Sequence, residues 1–187
     1  MKVYELTRWA FEPLLPPLYK QVRLKLFEMV GNNGTKKNIL DVGGRKSPYT
    51  IFVPADITII DLPRETEVQK SLNLGITEEI VQSMKEKRSN IVNFIFGDMT
   101  NSDLKSETFD VTVSVEVIEH VEEDEKFVSE ISRVLKPGGV FILTTPNGDF
   151  VENKNPDHKR HYKKAELEKL LNKYFEKVEV EYAISGG

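Results

Sequence analysis

An α/β fold built on a mostly parallel sheet, with helices on both faces, is what this sequence predicts. Three observations carry that expectation. Five short apolar runs recur along the chain, and each stops at a polar residue or a glycine. Segments of helical period lie between several of them, the alternation expected of βαβ units. With 187 residues, 39% of them hydrophobic, the chain has the size of one domain with one core.

The first thirty residues differ from the rest. Trp9, Phe11, Leu14 and Leu15 run up to Pro16-Pro17, a strong break. Beyond it Leu18, Val22, Leu26, Met29 and Val30 recur at helical spacing as far as Gly31-Asn32-Asn33-Gly34. Residues 1–34 are therefore expected to form an N-terminal helical arm over one end of the sheet, and residues 35–187 the α/β domain. The strands are expected at 39–42, at 57–60 ending in Asp61, at 92–96 ending in Gly97-Asp98, at 111–115 ending near Glu116, and at 140–144 before Pro146-Asn147.

Only eleven residues separate Arg45 from Ile57 (57 − 45 − 1), and Pro48 and Pro54 are among them, so the first crossover helix must be very short or nearly absent. Ile76, Ile80, Val81 and Met84 share a helical face before the third strand. Phe127, Val128, Ile131, Val134 and Leu135 do so before the fifth, where Lys136-Pro137-Gly138-Gly139 turns the chain. Leu167, Leu170, Leu171, Tyr174 and Phe175 form the clearest apolar stripe, and Val178, Val180 and Tyr182 alternate with Glu179 and Glu181 like a half-exposed strand.

Composition removes whole classes of function. The formal net charge of −4 gives no basic footprint for nucleic acid. Without cysteine there is neither a disulfide framework nor a thiolate metal site. No stretch has the order of a signal peptide, and no apolar run approaches the roughly 20 residues that cross a bilayer. A cytoplasmic protein with no membrane partner is the expectation.

The strand ends hold the chemistry. Asp41-Val42-Gly43-Gly44 lets the backbone turn tightly and bring N–H groups near a ligand, although such a turn also serves as a plain bend. Asp61 follows Asp41 by twenty positions (61 − 41), where an acid accepts hydrogen bonds from two ribose hydroxyls; the bland reading is a cap or turn aspartate. Asp98 could accept from an adenine amino group, or simply close the turn into Thr100-Asn101-Ser102.

Taken together, Ile39-Leu40-Asp41-Val42-Gly43, Ile59-Ile60-Asp61, Phe96-Gly97-Asp98-Met99, the stretch from Phe109-Asp110-Val111 to Glu119-His120-Val121, and Leu135-Lys136-Pro137-Gly138-Gly139 followed by Thr144-Thr145-Pro146-Asn147 resemble the class I S-adenosylmethionine-dependent methyltransferases. Within them the chain is similar to the branch of the ubiquinone-biosynthesis O-methyltransferases. The resemblance implies a Rossmann-like fold with S-adenosyl-L-methionine as cofactor. Asp41, Gly43 and Gly44 would meet its amino-acid end, Asp61 and Leu62 the ribose, Asp98 and Met99 the adenine, and Ser114 and Val115 the methionine part. Arg45 and Ser47 stand where the family usually has glycines, and the Arg45 side chain would have to leave the cofactor channel. The family fold also inserts one more strand beside the fifth. The chain stops at Ser185-Gly186-Gly187, so that final strand is expected to be missing, leaving an edge that a second copy could cover as a homodimer.

Glu116, Glu119 and His120 sit at the mouth of the fourth strand, where a base for an oxygen nucleophile would lie; Glu116 and His120 are the catalytic candidates. In ubiquinone-type relatives a similar Glu-x-x-Glu-His stretch is associated with a divalent metal. Capping of the following helix by Glu119 and His120 is the preferred alternative, so no metal is expected. In Asp157-His158-Lys159-Arg160-His161-Tyr162, the residues His158, Arg160 and His161 are candidates for holding the acceptor, against the reading of a solvated basic loop. Tyr4, Trp9 and Phe11 could close the pocket or merely pack. The function expected is methyl transfer to a small-molecule acceptor, at oxygen. A non-catalytic binding or scaffold module stays open, while a nicotinamide-dependent oxidoreductase is disfavoured because no third phosphate-loop glycine lies between Arg45 and Pro48.

Overall fold

The structure, a computed structural model, describes residues 2–31, 35–71 and 75–183. Asn32-Asn33-Gly34 and Ser185-Gly186-Gly187, read above as a helix stop and as the end of the chain, lie outside the described residues. The elements are α1 (Val3–Ala10), α2 (Pro17–Val30), β1 (Lys37–Val42), β2 (Ala55–Asp61), α3 (Glu67–Ser71), α4 (Glu78–Lys87), β3 (Ile91–Phe96), β4 (Phe109–Val115), α5 (Asp124–Val134), β5 (Leu135–Thr144) and α6 (Lys164–Leu171). All four strand pairings are parallel, in the order β3-β2-β1-β4-β5. The five apolar runs became the five strands.

Side chains alternate across the sheet and feed two cores. Ile39, Ile57, Ile59, Val111 and Val113 meet Val22, Leu26 and Val30 of α2 and Met84 of α4. Leu40, Val42 and Ile60 meet Phe127, Val128, Ile131 and Val134 of α5 and Leu167, Leu170 and Leu171 of α6. Helices therefore cover both faces.

The segment between β1 and β2 contains only a single 3₁₀ turn, Gly44–Lys46. With no crossover helix there, α2 supplies the missing cover, and Leu26 is fully buried. Burying such a side chain stabilises by about 1.5–3 kcal/mol. The arm expected over one end of the sheet is thus, in its α2 half, a layer of the core. Pro17 opens α2 at a position that has no backbone donor to lose.

The α1 half is anchored differently. Glu5, 1% exposed, accepts from Ser89 N and Oγ, both at 2.8 Å, immediately before β3. That contact puts α1 at the amino edge of the sheet, away from the strand ends where the candidate residues gather. Tyr4 lies on this anchored helix, Phe11 just beyond it lines a small cavity with Leu15, Pro48 and Ile51, and the side chain of Trp9 lies outside what the structure describes.

Two further expectations change. Lys136-Pro137-Gly138-Gly139 is not a turn before the fifth strand but an irregularity inside β5, where pairing jumps from Phe109↔Leu135 to Val111↔Val140. Gly138 takes φ 75° there, in the left-handed region. Val178, Val180 and Tyr182 form no strand: Val178 and Val180 pack on the α5/α6 core with no ladder partner. Their alternation recorded which side faces the core. Among the described residues no strand follows β5.

Candidate active site

The chain moves outward from β1 in one direction through β2 and β3, and in the other through β4 and β5. At such a reversal the connections leave on opposite sides and open a crevice beyond the carboxyl ends of β1 and β4. Gly43 follows β1 there, and Ser114 and Val115 end β4.

Asp41 does not reach that crevice. Its carboxylate is fully buried beneath the β1–β2 segment, where Tyr49 Oη donates at 3.0 Å and the Ser47 and Thr50 hydroxyls complete its shell. Gly44 is required above it, since a Cβ would lie 2.2 Å from the Asp41 carboxyl carbon. Arg88, 4% exposed, clamps the same segment through Ser47 O at 3.1 Å and Thr50 Oγ1 at 2.7 Å. Burial lifts the Asp41 carboxyl to about 6, against the pull of the Ser47 bond and the Arg88 charge. The contact expected between Asp41 and a ligand is thus corrected: the carboxylate holds the loop that shapes the crevice. Ser47, which replaces a usual glycine, is one of its hydrogen-bond donors.

Gly43 is at the crevice with φ 71°, and a Cβ on it would stand 2.7 Å from Val117 Cγ2. Its N–H is already given to Ile60 O at 2.8 Å. Asp61 ends β2 half-buried and accepts from Leu62 N at 2.8 Å, with the Leu62 side chain exposed. Burial raises the Asp61 pKa, while the Leu62 bond and the charges of Arg45 and Arg64 oppose the rise. The Arg45 guanidinium therefore stands beside Asp61.

Asp98 Oδ1 takes both Thr100 N and Thr100 Oγ1 at 2.8 Å, closing the turn after β3. Met99 is 4% exposed and belongs to the α5/α6 core, so its side chain faces inward. Ser114 is fully buried and its Oγ has no hydrogen-bond partner, which is costly unless a ligand or water supplies one. Val115 is partly buried against the α2/α4 core.

Glu116 takes φ 55°, a conformation that non-glycine residues adopt at a cost of order 1 kcal/mol and that recurs at functional sites. Its carboxylate accepts from Thr144 Oγ1 at 2.9 Å. Burial raises its pKa, offset by that bond and by the charges of His120 and His161. The 3₁₀ turn Ile118–His120 then carries Glu119 inward to 1% exposure. Thr145 Oγ1 donates to Glu119 Oε2 at 3.1 Å, while Oε1 is buried without a partner. Burial together with the neighbouring Glu116 charge lifts the Glu119 carboxyl to about 7. Neither Glu119 nor His120 caps α5, whose N-cap Glu123 makes no side-chain capping bond.

The segment after β5 folds back onto this group through a bridge between Asn147 and Tyr162 and through Lys159 N donating to Glu119 O at 2.6 Å. His158 meets His120 edge to face, with ring centroids 4.6 Å apart, and its Nδ1 lies 2.8 Å from His161 Nε2. Burial and the two neighbouring histidines lower the His158 pKa. Arg160 is placed elsewhere than the sequence reading expected. It pairs with Asp124 at 2.6 Å and donates to Glu122 O at 3.0 Å, while Tyr162 Oη donates to Asp124 at 2.7 Å. Those bonds fasten the segment to the start of α5.

Glu116, Glu119, His120, His158 and His161 thus come together, and Arg160 stays outside. Sequence reasoning passed over Thr144 and Thr145 as partners of the glutamates, although the pair stands directly before Pro146. One ligand atom from each of Glu119, His120 and His158 lies within 4.8 Å of the others. A divalent metal of the kind associated with similar relatives therefore fits this donor set, with the unpartnered Glu119 oxygen as its best evidence.

Residues 48–143, just over half of the chain, match the family model described as a methyltransferase domain; the match starts beyond the Gly43-Gly44 turn. The chain is 38% identical over 137 residues to norajmaline N-methyltransferase of Rauvolfia serpentina, across 68% of this chain and 44% of that protein. It is 41% identical over 85 residues to a probable S-adenosylmethionine-dependent methyltransferase of Mycolicibacterium smegmatis, across 43% of this chain and 33% of that one. It therefore matches less than half the length of these curated relatives. The crystal structure of the YcgJ protein from Bacillus subtilis superposes with a TM-score of 0.66 at 19% identity, covering 83% of this chain and 68% of that one, a likeness of fold. With the parallel sheet, the crevice at its reversal and this match in hand, the chain belongs to the methyltransferase domain family.

Proposed function

We propose that the domain binds S-adenosyl-L-methionine across the β1/β4 crevice and serves methyl transfer to an oxygen of a small-molecule acceptor. The observation that carries this reading is the fully buried Ser114 hydroxyl without a partner, paired in register with Val42 just before the Gly43 turn, with β1 between it and the acid that ends β2. Bound there, the cofactor supplies an electrophilic methyl on a sulfonium that leaves as a neutral thioether.

The chain's own groups have the remaining work. Asp61 accepts from the ribose hydroxyls, and backbone at Leu62 and Met99 lines the nucleoside. Ser114 and Val115 border the methionine part. Glu116 and His120 stand where an acceptor hydroxyl would lose its proton, and bases whose pKa values lie nearer neutrality serve that purpose best. His158 and His161 border the acceptor side. Alignment and exclusion of water account for most of the rate in such a displacement. A cytoplasmic setting, an acceptor other than nucleic acid and pairing of two copies along the free edge of β5 belong to the same proposal; no described helix is long and apolar enough to cross a membrane.

Calorimetry with S-adenosylmethionine, S-adenosylhomocysteine and NADH tests it. Binding of the first two in the micromolar range, weakened about 100-fold in Asp61→Ala, is expected, since a site built to hydrogen-bond a ligand loses a few kcal/mol when one partner goes. Equal affinity in Asp61→Ala overturns the site. Absence of binding favours the second reading, a module that keeps the fold alone, for which the Arg45 charge beside Asp61 is the supporting observation.

A further inference from the structure

We propose that His158, Glu119 and His120 form a site for a borderline transition-metal ion, with two imidazoles and one carboxylate as ligands. Similar relatives point to a Glu-x-x-Glu-His set; the side chains of this chain select a different one. Glu116 is engaged with the Thr144 hydroxyl and stands outside the cluster of ligand atoms. Its place is taken by His158, delivered from the segment after β5.

The protonation pattern follows from the hydrogen bonds. The Val151 carbonyl, 2.9 Å from His161 Nδ1, can only accept, so that nitrogen carries the hydrogen. In the neutral ring His161 Nε2 then holds a lone pair. His158 Nδ1, 2.8 Å away, must donate to it, which leaves the lone pair of His158 on Nε2. His120 Nδ1 faces the Asp157 carbonyl at 3.1 Å, so it too donates, and its lone pair is on Nε2.

Both imidazoles therefore have their hydrogen tied to a fixed acceptor and their remaining nitrogen free, the arrangement that orients histidine toward a metal. The third donor is Glu119 Oε1, buried without a partner on a residue 1% exposed. One ligand atom from each of the three lies within 4.8 Å of the other two, a span that a single ion can bridge. Two nitrogen donors and one oxygen donor suit zinc, cobalt, nickel or iron; magnesium favours all-oxygen surroundings. Three protein ligands leave coordination positions for water or for an oxygen of the acceptor. His161 acts through His158, as a positioning residue.

The inference does not depend on methyl transfer, and its test needs no activity. The full chain is stripped with chelator and titrated separately with Zn²⁺, Co²⁺ and Mg²⁺, by calorimetry and by the visible absorption of Co²⁺. One Zn²⁺ or Co²⁺ per chain is expected, at least about tenfold tighter than Mg²⁺. His158→Ala should weaken Co²⁺ binding about 100-fold and His161→Phe about 10-fold. Because the native chain has no cysteine, His158→Cys offers a signature of its own. A sulfur-to-cobalt charge-transfer band should appear on adding Co²⁺, which only a ligand at position 158 produces. Metal-free melting curves of the variants check that each is folded. Preference for Mg²⁺, undiminished Co²⁺ affinity in His158→Ala, no charge-transfer band in a folded His158→Cys, or a larger loss in Glu116→Gln than in His158→Ala overturns the assignment.

Discussion

Asp41 and Glu119 are two buried carboxylates near the carboxyl ends of the sheet, both pushed upward in pKa by burial. Their surroundings are opposite. Asp41 has Ser47, Tyr49 and Thr50 hydroxyls on its oxygens and Arg88 nearby, while Glu119 has one hydroxyl on Oε2 and nothing on Oε1. A fully satisfied polar network rigidifies, whereas a half-satisfied one costs stability unless it gains a further partner. The first region is framework in place of a crossover helix. The second has the character of a site.

That contrast is open to direct attack. The largest effect should come from Asp41→Ala, which strips the Ser47, Tyr49 and Thr50 hydroxyls of their shared acceptor and removes the nearest charge opposing that of Arg88. Leaving buried donors without their acceptor beside a buried cation costs about 3 kcal/mol or more, roughly 10 °C in melting temperature for a chain of this size. At about pH 5, where Glu119 is protonated in the folded chain, Glu119→Gln should stay within about 1 kcal/mol. Equal losses in thermal unfolding would erase the distinction.

Acid titration sharpens it. Glu119 rises from 4.5 to about 7 on folding, so between those values the folded state holds more proton than the unfolded chain. Stability should therefore fall as pH rises through that window, by up to about 3 kcal/mol. Asp41, lifted from 3.8 to about 6, acts in the same direction but is finished by about pH 6. The upper part of the slope should vanish in Glu119→Gln, as followed by urea unfolding at stepped pH. A slope that survives above pH 6 assigns it to another group.

Gly43→Ala comes next. A left-handed φ of 71° together with the approach to Val117 should cost about 1–2 kcal/mol and loosen S-adenosylmethionine, read by melting and calorimetry. The smallest change expected in stability is that of Arg45→Ala, within about 0.5 kcal/mol. Its informative readout is affinity: freeing Asp61 from a competing cation should tighten S-adenosylmethionine binding. Weaker binding would make Arg45 a part of the site.

The strands, their order of appearance and the two-faced packing were legible because period-2 and period-3.6 apolar patterns report burial directly. The shortness of the first crossover was legible from Pro48 and Pro54. What filled the uncovered face was not, since nothing in Val22, Leu26 and Val30 names the surface they meet. Nor could spacing reveal that Asp41 turns inward, because the deciding hydroxyls of Ser47, Tyr49 and Thr50 and the guanidinium of Arg88 are ordinary loop residues until the chain is folded. Glu116, Glu119 and His120 were visible as a local cluster. The addition of His158 and the departure of Arg160 to Asp124 depended on how a distant segment folds back, information that no local pattern holds. The alternation at Val178 and Val180 shows the converse, a strand-like signal without a ladder.

The bridge between Asn147 and Tyr162 has a consequence for how this scaffold could diversify. Gly148 N donates to Tyr162 O at 2.8 Å, so the excursion from 148 to 161 leaves and re-enters the framework at nearly one point. The entropy of closing a flexible loop grows only slowly with its length. Residues could be inserted or exchanged in the excursion's exposed stretch, 152–156, at little thermodynamic penalty, giving lineages or protein engineers a replaceable cassette while His158, Lys159, Arg160 and His161 keep the contacts that hold the rest in place.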